Sequence, residues 1–187
     1  RDRPFWVFLL VIFITGMIFF QLFTTLPLYH QKAYGLTEFQ TGLLLTLNGF
    51  LVFLLEMPIV NYFDRKKVNK VKIVMFGSLF MAFGFYVLLL NAWVGVLVIN
   101  ILFLTFGEIF AFPFSNSFAL SRAPRGQEGR YMAFYTMSFS LAHIMSSKTG
   151  MGIFDRYGYL TNWMVMGTLG LIAVICSVWV MKMVREE

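Results

Sequence analysis

Asn61-Tyr62-Phe63-Asp64-Arg65-Lys66-Lys67-Val68-Asn69-Lys70-Val71-Lys72 is a charged segment set between two apolar runs, Glu38 to Tyr62 before it and Val71 to Leu90 after it. Runs of roughly 20 to 25 residues are long enough to cross a hydrocarbon core of about 30 Å as helices. Outward from this pair the pattern repeats, with further apolar runs over Phe5 to Leu28, Val94 to Phe118, Tyr131 to Gly150 and Leu160 to Met181. Six crossings with short connections leave no room for a separate catalytic or sensory domain. Residues 1–187 therefore read as one all-α transmembrane bundle. Composition agrees: 59% of the side chains are apolar and 13% charged, against about a quarter charged in soluble domains, and the mean hydropathy is +0.75.

The basic residues set the orientation. Of the 15 lysines and arginines, all but Lys32, Lys148 and Arg156 fall on one side when the crossings alternate. The positive-inside rule then puts both termini and the Asp64 to Lys72 loop in the cytoplasm, which requires an even number of crossings. A net charge of +6 is explained by loops facing anionic lipid, so no nucleic-acid partner is implied. Trp6 and Trp179 fall at cytoplasmic ends and Trp93 and Trp163 at outer ends, as expected for rings anchored at headgroup level. Thr37 and Gln40 have capping-box spacing, with Gly35 breaking the first hairpin. The chain opens on Arg1 and shows no signal peptide, so it reads as a processed product or a piece of something longer. One cysteine, Cys176, and two histidines, His30 and His143, rule out an intrachain disulfide and a Cys-rich metal site. No metal or organic cofactor is implied, and no reactive constellation of histidines and acids points to an enzyme.

Polar residues inside apolar spans need individual reasons, because an ionised group at mid-bilayer costs about 2.5–3.5 kcal/mol on insertion scales. Asn100, Glu108 and Ser115 fall on one face of the fourth span at about 100° per residue. Pro113 follows the acid and cannot donate to the carbonyl of Ile109, which loosens the helix there. Glu108 thus suits either a group that takes up and releases a proton or holds a cation, or a buried hydrogen-bond partner. Thr41, Asn48 and Glu56 share a face of the second span, and Glu56 lies close enough to the basic loop for a structural ion pair with a long basic side chain. Thr136, Ser140, His143 and Ser147 draw a stripe along the fifth span, which suits a proton relay or helix-to-helix hydrogen bonding. Lys148 is placed to snorkel to the outer interface. Gln21, Thr24 and Thr25 precede Pro27 in the first span and suit either helix-helix adhesion or orientation of a ligand in a cavity.

The Asp64-Arg65 loop resembles the Gly-x-x-x-Asp-Arg-x-Gly-Arg-Lys loop of the major facilitator superfamily, with Val60 and Lys67 where that motif has its glycines. Gly107-Glu108 with Pro113, Ala123-Pro124, Gly126, Gly129-Arg130-Tyr131-Met132 and Gly158 extend the likeness. So do Gln21, Leu26-Pro27-Leu28-Tyr29 and Tyr34-Gly35-Leu36-Thr37. The resemblance implies the C-terminal six helices of a twelve-helix carrier, built as two inverted three-helix repeats, with substrate between the halves. Its first and fourth spans would line the cavity. Drug:proton antiporters are similar in the first hairpin and in the loop. Proton-dependent oligopeptide transporters are similar in the Gly-Glu plus proline pattern, where Glu108 matches a glutamate that contacts the peptide amino group. Asp64 and Arg65 would lock the cytoplasmic faces together, with their partner in the other half.

The expectation is therefore proton-coupled transport of a small organic solute by alternating access in the plasma membrane, the inner membrane of a bacterium. Efflux is favoured over oligopeptide symport and over a non-transporting receptor or scaffold on the same fold. Glu108, His143, Gln21, Thr25, Asn48 and Asn100 are the candidates for proton coupling or substrate binding, Asp64 and Arg65 for the gate, and Glu56 for the ion pair. The expected partners are the solute, protons, the lipid bilayer and a second six-helix half.

Overall fold

The computed structural model describes residues 2–90 and 93–186, which are helical with no strand among them. Arg1, counted above among the basic residues, lies outside that range. The helices are α1 (Arg3–Phe19), α2 (Thr25–Tyr34), α3 (Glu38–Arg65), α4 (Lys70–Val87), α5 (Gly95–Arg122) and α6 (Glu128–Arg185). Short 3-10 turns at Phe20–Leu22 and Leu88–Leu90 follow α1 and α4.

Local chemistry fixes several helix ends. Asp2 caps α1 by accepting a hydrogen bond from the Phe5 amide at 3.1 Å, and Pro4 sits in the first turn, where an amide proton has no helical partner to lose. Before α3 the capping box forms as expected: the Gln40 amide donates to Thr37 Oγ1 at 3.2 Å and the Thr37 amide to Gln40 Oε1 at 2.9 Å. Gly35 closes α2 in the left-handed region, at φ +64°.

Two expected boundaries move. The first crossing continues through the 3-10 turn and α2 to Tyr34 instead of ending at Leu28. Pro27 falls in the first turn of α2, where proline interrupts no hydrogen bond, so it does not stop the chain. The fifth and sixth crossings are joined without the expected loop: α6 is helical on both sides of Gly158, whose φ of +82° and ψ of 169° make the break. Only glycine takes that conformation without a Cβ penalty. Trp6 lies 5.2 Å from Phe134 in the first arm of α6 and shares a cavity wall with Trp179 in the second arm. The arms therefore run antiparallel and return to the same end. Five long apolar helices, the last folded back on itself, give six crossings.

Small residues set the helix seams, which in lipid are held by close packing rather than by expulsion of water. A Cβ placed on Gly16 would stand 2.9 Å from the Ala142 Cβ, so α1 meets the first arm of α6 almost backbone to backbone. On α4, a Cβ at Gly77 would stand 2.7 Å from the Ala111 amide nitrogen of α5. Against the second arm, Ala82 of α4 occupies the space a Cβ on Gly170 would need. The first helix of each three-helix unit thus packs on the middle helix of the other unit, α1 on the first arm of α6 and α5 on α3. Such an exchange is the packing of inverted repeats. Of α3, only Thr41 and Asn48 are buried.

Trp163 departs from its expected interfacial place. It is fully buried at the start of the second arm, stacked 5.5 Å from Phe85 and edge-on to Tyr29 at 5.2 Å, where α2, α4 and α6 converge. Trp6, Trp93 and Trp179 are exposed, as anchors are.

Candidate functional site

Glu108 lies midway along α5, half-buried, where α3 crosses. Its Oε2 accepts a hydrogen bond from Asn48 Nδ2 at 3.1 Å, and the same nitrogen donates to Thr105 Oγ1 at 3.0 Å. Thr105 in turn donates to the Ile101 carbonyl at 2.8 Å, so one amide on α3 is held by two groups a turn apart on α5. Beside this junction a cavity of about 590 Å³ is walled by Glu108 and Glu56, by Phe19, Phe112, Tyr135 and Phe139, and by Pro113. The Tyr135 hydroxyl stands 2.9 Å from Ser115 Oγ, which fixes its ring at the edge of the cavity. Helix α5 remains a single helix through Pro113, which faces this space.

The expected ion pair at Glu56 does not form: among the described residues Glu56 makes no salt bridge. Neighbouring basic side chains are turned elsewhere, Lys66 over the Tyr62 ring at 5.7 Å and Lys70 toward the Ser117 carbonyl at 3.4 Å. Both carboxylates therefore open onto a cavity walled otherwise by aromatic, aliphatic and neutral polar groups. A cation or a proton entering it would meet two acids and several aromatic faces.

Three other candidates sit away from this cavity. Gln21, expected as adhesive or as a ligand-orienting group, is the centre of a closed knot. Its Nε2 donates to Ser146 Oγ at 2.9 Å and to the Ser146 carbonyl at 3.0 Å, while its Oε1 accepts from Thr25 Oγ1 and, at 3.3 Å, from Asn162 Nδ2. Ser146 Oγ also donates to the Met17 carbonyl at 2.7 Å. All four side chains are fully buried, and Gly150 provides the space for Gln21. In this conformation Gln21 and Thr25 tie α1 and α2 to both arms of α6. Asn100 is likewise enclosed, its Nδ2 donating to the Gly84 carbonyl of α4 at 3.0 Å. The face that Asn100 shares with Glu108 and Ser115 in sequence is split among three neighbours along the length of α5.

His143 is exposed, its ring 4.3 Å from that of Phe20, outside the walls of the carboxylate cavity. Thr136, Ser140 and Ser147 of its stripe are exposed as well, and so is Lys148. Asp64 and Arg65 occupy the last turn of α3 and are exposed. Two residues on, Lys67 takes φ +50°, the left-handed turn for which the family loop uses glycine.

Arg122, one of the basic residues on the charged side, pairs with Asp2. Arg122 Nη2 lies 2.6 Å from Asp2 Oδ1 and Nε 3.1 Å from Oδ2, a two-point pair that joins the start of α1 to the end of α5. Tyr131 donates to the same carboxylate at 3.3 Å. Asp2 followed by Arg3-Pro4 is a legible helix cap, but nothing local announces a partner 120 positions away.

Long apolar helices, the last folded back on itself at Gly158, define an all-α multi-pass membrane protein. The chain belongs to the major facilitator superfamily, whose family model, Major Facilitator Superfamily, matches residues 1–147. It is also similar to a relative described as the uncharacterized MFS-type transporter YttB of Bacillus subtilis (strain 168), at 22% identity over 175 residues. That similarity covers 93% of this chain and 44% of the relative, so the chain spans less than half the relative's length.

Proposed function

We propose that this chain is the C-terminal half of a proton-coupled secondary transporter, which moves a small organic solute by rocking against a second six-helix half. The observation that carries the reading is the pairing of Glu108 and Glu56 on one cavity wall without a basic partner among the described residues. A carboxylate held in hydrocarbon without a countercharge is costly, and a proton or a substrate cation removes that cost. Alternation between a closed and a wet cavity would let Glu108 load and release such a charge. Asn48 fits the role of the neutral group that holds the Glu108 carboxyl in place, since it binds Oε2 and Thr105 at once.

Asp64 and Arg65 serve on this reading as the gate that holds the two halves together at the cytoplasmic face, in the inner membrane of a bacterium with both termini inside. Drug or metabolite efflux is preferred over oligopeptide symport because four aromatic rings, Phe19, Phe112, Tyr135 and Phe139, line the cavity beside its two acids, which suits an amphipathic solute better than a peptide backbone. A non-transporting receptor on the same fold would keep the cavity and lose the flux.

The complete protein reconstituted in liposomes with a pH-sensitive dye inside tests this. Addition of a transported amphipathic cation should move protons against it across the bilayer. Solute movement with no accompanying proton flux would remove the coupling, and absence of any flux would favour the receptor.

A further inference from the structure

A groove of about 1070 Å³ runs along the outside of the seam between α1 and the first arm of α6, walled chiefly by Leu10, Phe13, Met137, Leu141 and Ile144. It shares no residue with the carboxylate cavity. At the arginine-rich end of the bundle a second chamber of about 420 Å³ opens, bounded by Asp2, Gln127, Arg130 and Tyr131. Trp6 and Phe134 belong to the walls of both. An apolar slot thus leads past two aromatic rings into a polar chamber, at the level where such rings mark the boundary between hydrocarbon and headgroups.

The charge of the chamber follows from its hydrogen bonds. The Asp2 carboxylate is already engaged by Arg122, by the Tyr131 hydroxyl and by the Phe5 amide. Arg130 is exposed, its guanidinium carbon 5.9 Å above the Phe134 ring, which holds it at the junction of slot and chamber. Arg125 is exposed in the adjoining turn. A guanidinium poised over an apolar slot is complementary to an amphiphile with a phosphate head, because its planar donors match phosphate oxygens two at a time.

We propose that this groove holds one anionic phospholipid of the bilayer, its acyl chain between α1 and the first arm of α6 and its phosphate at Arg130. The site is separate from transport chemistry and does not depend on what the carboxylate cavity binds. Its lipid would stiffen the seam between the first crossing and the fifth. These crossings also meet at Gly16 and Ala142, through the bond from Ser138 Oγ to the Leu9 carbonyl at 2.8 Å and through the bonds of Ser146 to Met17 and Gln21.

Brominated lipids quench tryptophan on contact, and Trp6 stands at the junction, which gives a direct test with the complete carrier in phosphatidylcholine bilayers. The Trp6 signal is obtained by subtracting a Trp6→Phe protein. Dibrominated phosphatidylglycerol, present at low mole fraction, should quench it about fivefold more effectively than dibrominated phosphatidylcholine, the preference expected of one basic residue at an anionic surface. Arg130→Gln should bring the two lipids level, and Ala133→Phe, which fills the slot, should protect Trp6 from both. Equal quenching of the unaltered protein by the two lipids would overturn the anionic headgroup. No quenching by either would show that the rest of the carrier, not lipid, covers the groove.

Discussion

Two polar assemblies lie within the bundle, and they are built in opposite ways. Around Gln21, four buried side chains bond one another and two backbone carbonyls, leaving Asn162 Oδ1 as the one side-chain polar atom of the four without a partner among the described residues, with glycine at position 150 making the fit. Around Glu108, one amide from Asn48 meets a carboxylate whose surroundings open onto a cavity that a second carboxylate also faces. The first arrangement uses polar groups as an adhesive between helices, and closure is what makes it stable. The second leaves charge capacity unused at membrane depth, which is costly unless something else binds there. Polarity inside a span is thus a poor guide to function by itself; whether the polar atoms are satisfied within the fold decides.

Substitutions should separate packing, adhesion and chemistry. The largest loss of stability is expected at Gly77→Ala, because the new Cβ would meet backbone atoms of Ala111 and Gly107 at 2.7 and 2.8 Å and neither can move aside. Overpacking of this kind costs about 1–3 kcal/mol, read as a lowered unfolding temperature of the detergent-solubilised protein. Next comes Gln21→Leu, which takes the Gln21 partner from the buried Thr25 hydroxyl and the buried Asn162 amide and should cost about 1–2 kcal/mol by the same assay. A variant as stable as the parent would show that the knot does not hold the helices together. Smaller still, and of opposite sign, Lys67→Gly should raise stability by about 0.5–1 kcal/mol, since it relieves a left-handed lysine at the cost of some chain entropy. A decrease would mean that the Lys67 side chain contributes more than its backbone conformation costs.

Much of the fold was legible in the sequence. Apolar runs between charged loops gave the crossings, and Thr37, Gln40 and Gly35 marked a hairpin that forms as read. What escaped are properties of neighbours rather than of periodicity. Helical spacing puts Asn100, Glu108 and Ser115 on one face, but the packing of α4, α3 and α6 along α5 gives each a different partner. Trp163 carries the composition of an interfacial anchor and is buried because three helices converge on it. Glu56 stands near a basic loop in sequence, yet Lys66 and Lys70 of that loop point to Tyr62 and Ser117. The turn between the last two crossings shrank to Gly158 because a single residue with φ of +82° reverses the chain. In the candidate site, Glu108 and Asn48 were readable as polar residues in apolar spans, whereas the aromatic walls from Phe19, Phe112, Tyr135 and Phe139 required three helices to be brought together.

The contrast between the two assemblies is tested most directly by measuring pH-gradient-driven uphill transport in proteoliposomes for Glu108→Gln and Gln21→Leu of the complete carrier, side by side with their unfolding temperatures. Glu108→Gln keeps the shape and the hydrogen bond to Asn48 but removes the ionisable group. It should unfold within a few degrees of the parent and lose uphill transport, whereas Gln21→Leu should unfold earlier and retain coupled transport while folded. Uphill transport at the parental rate by a folded Glu108→Gln protein would contradict the account and leave Glu108 as one more hydrogen-bond partner between helices.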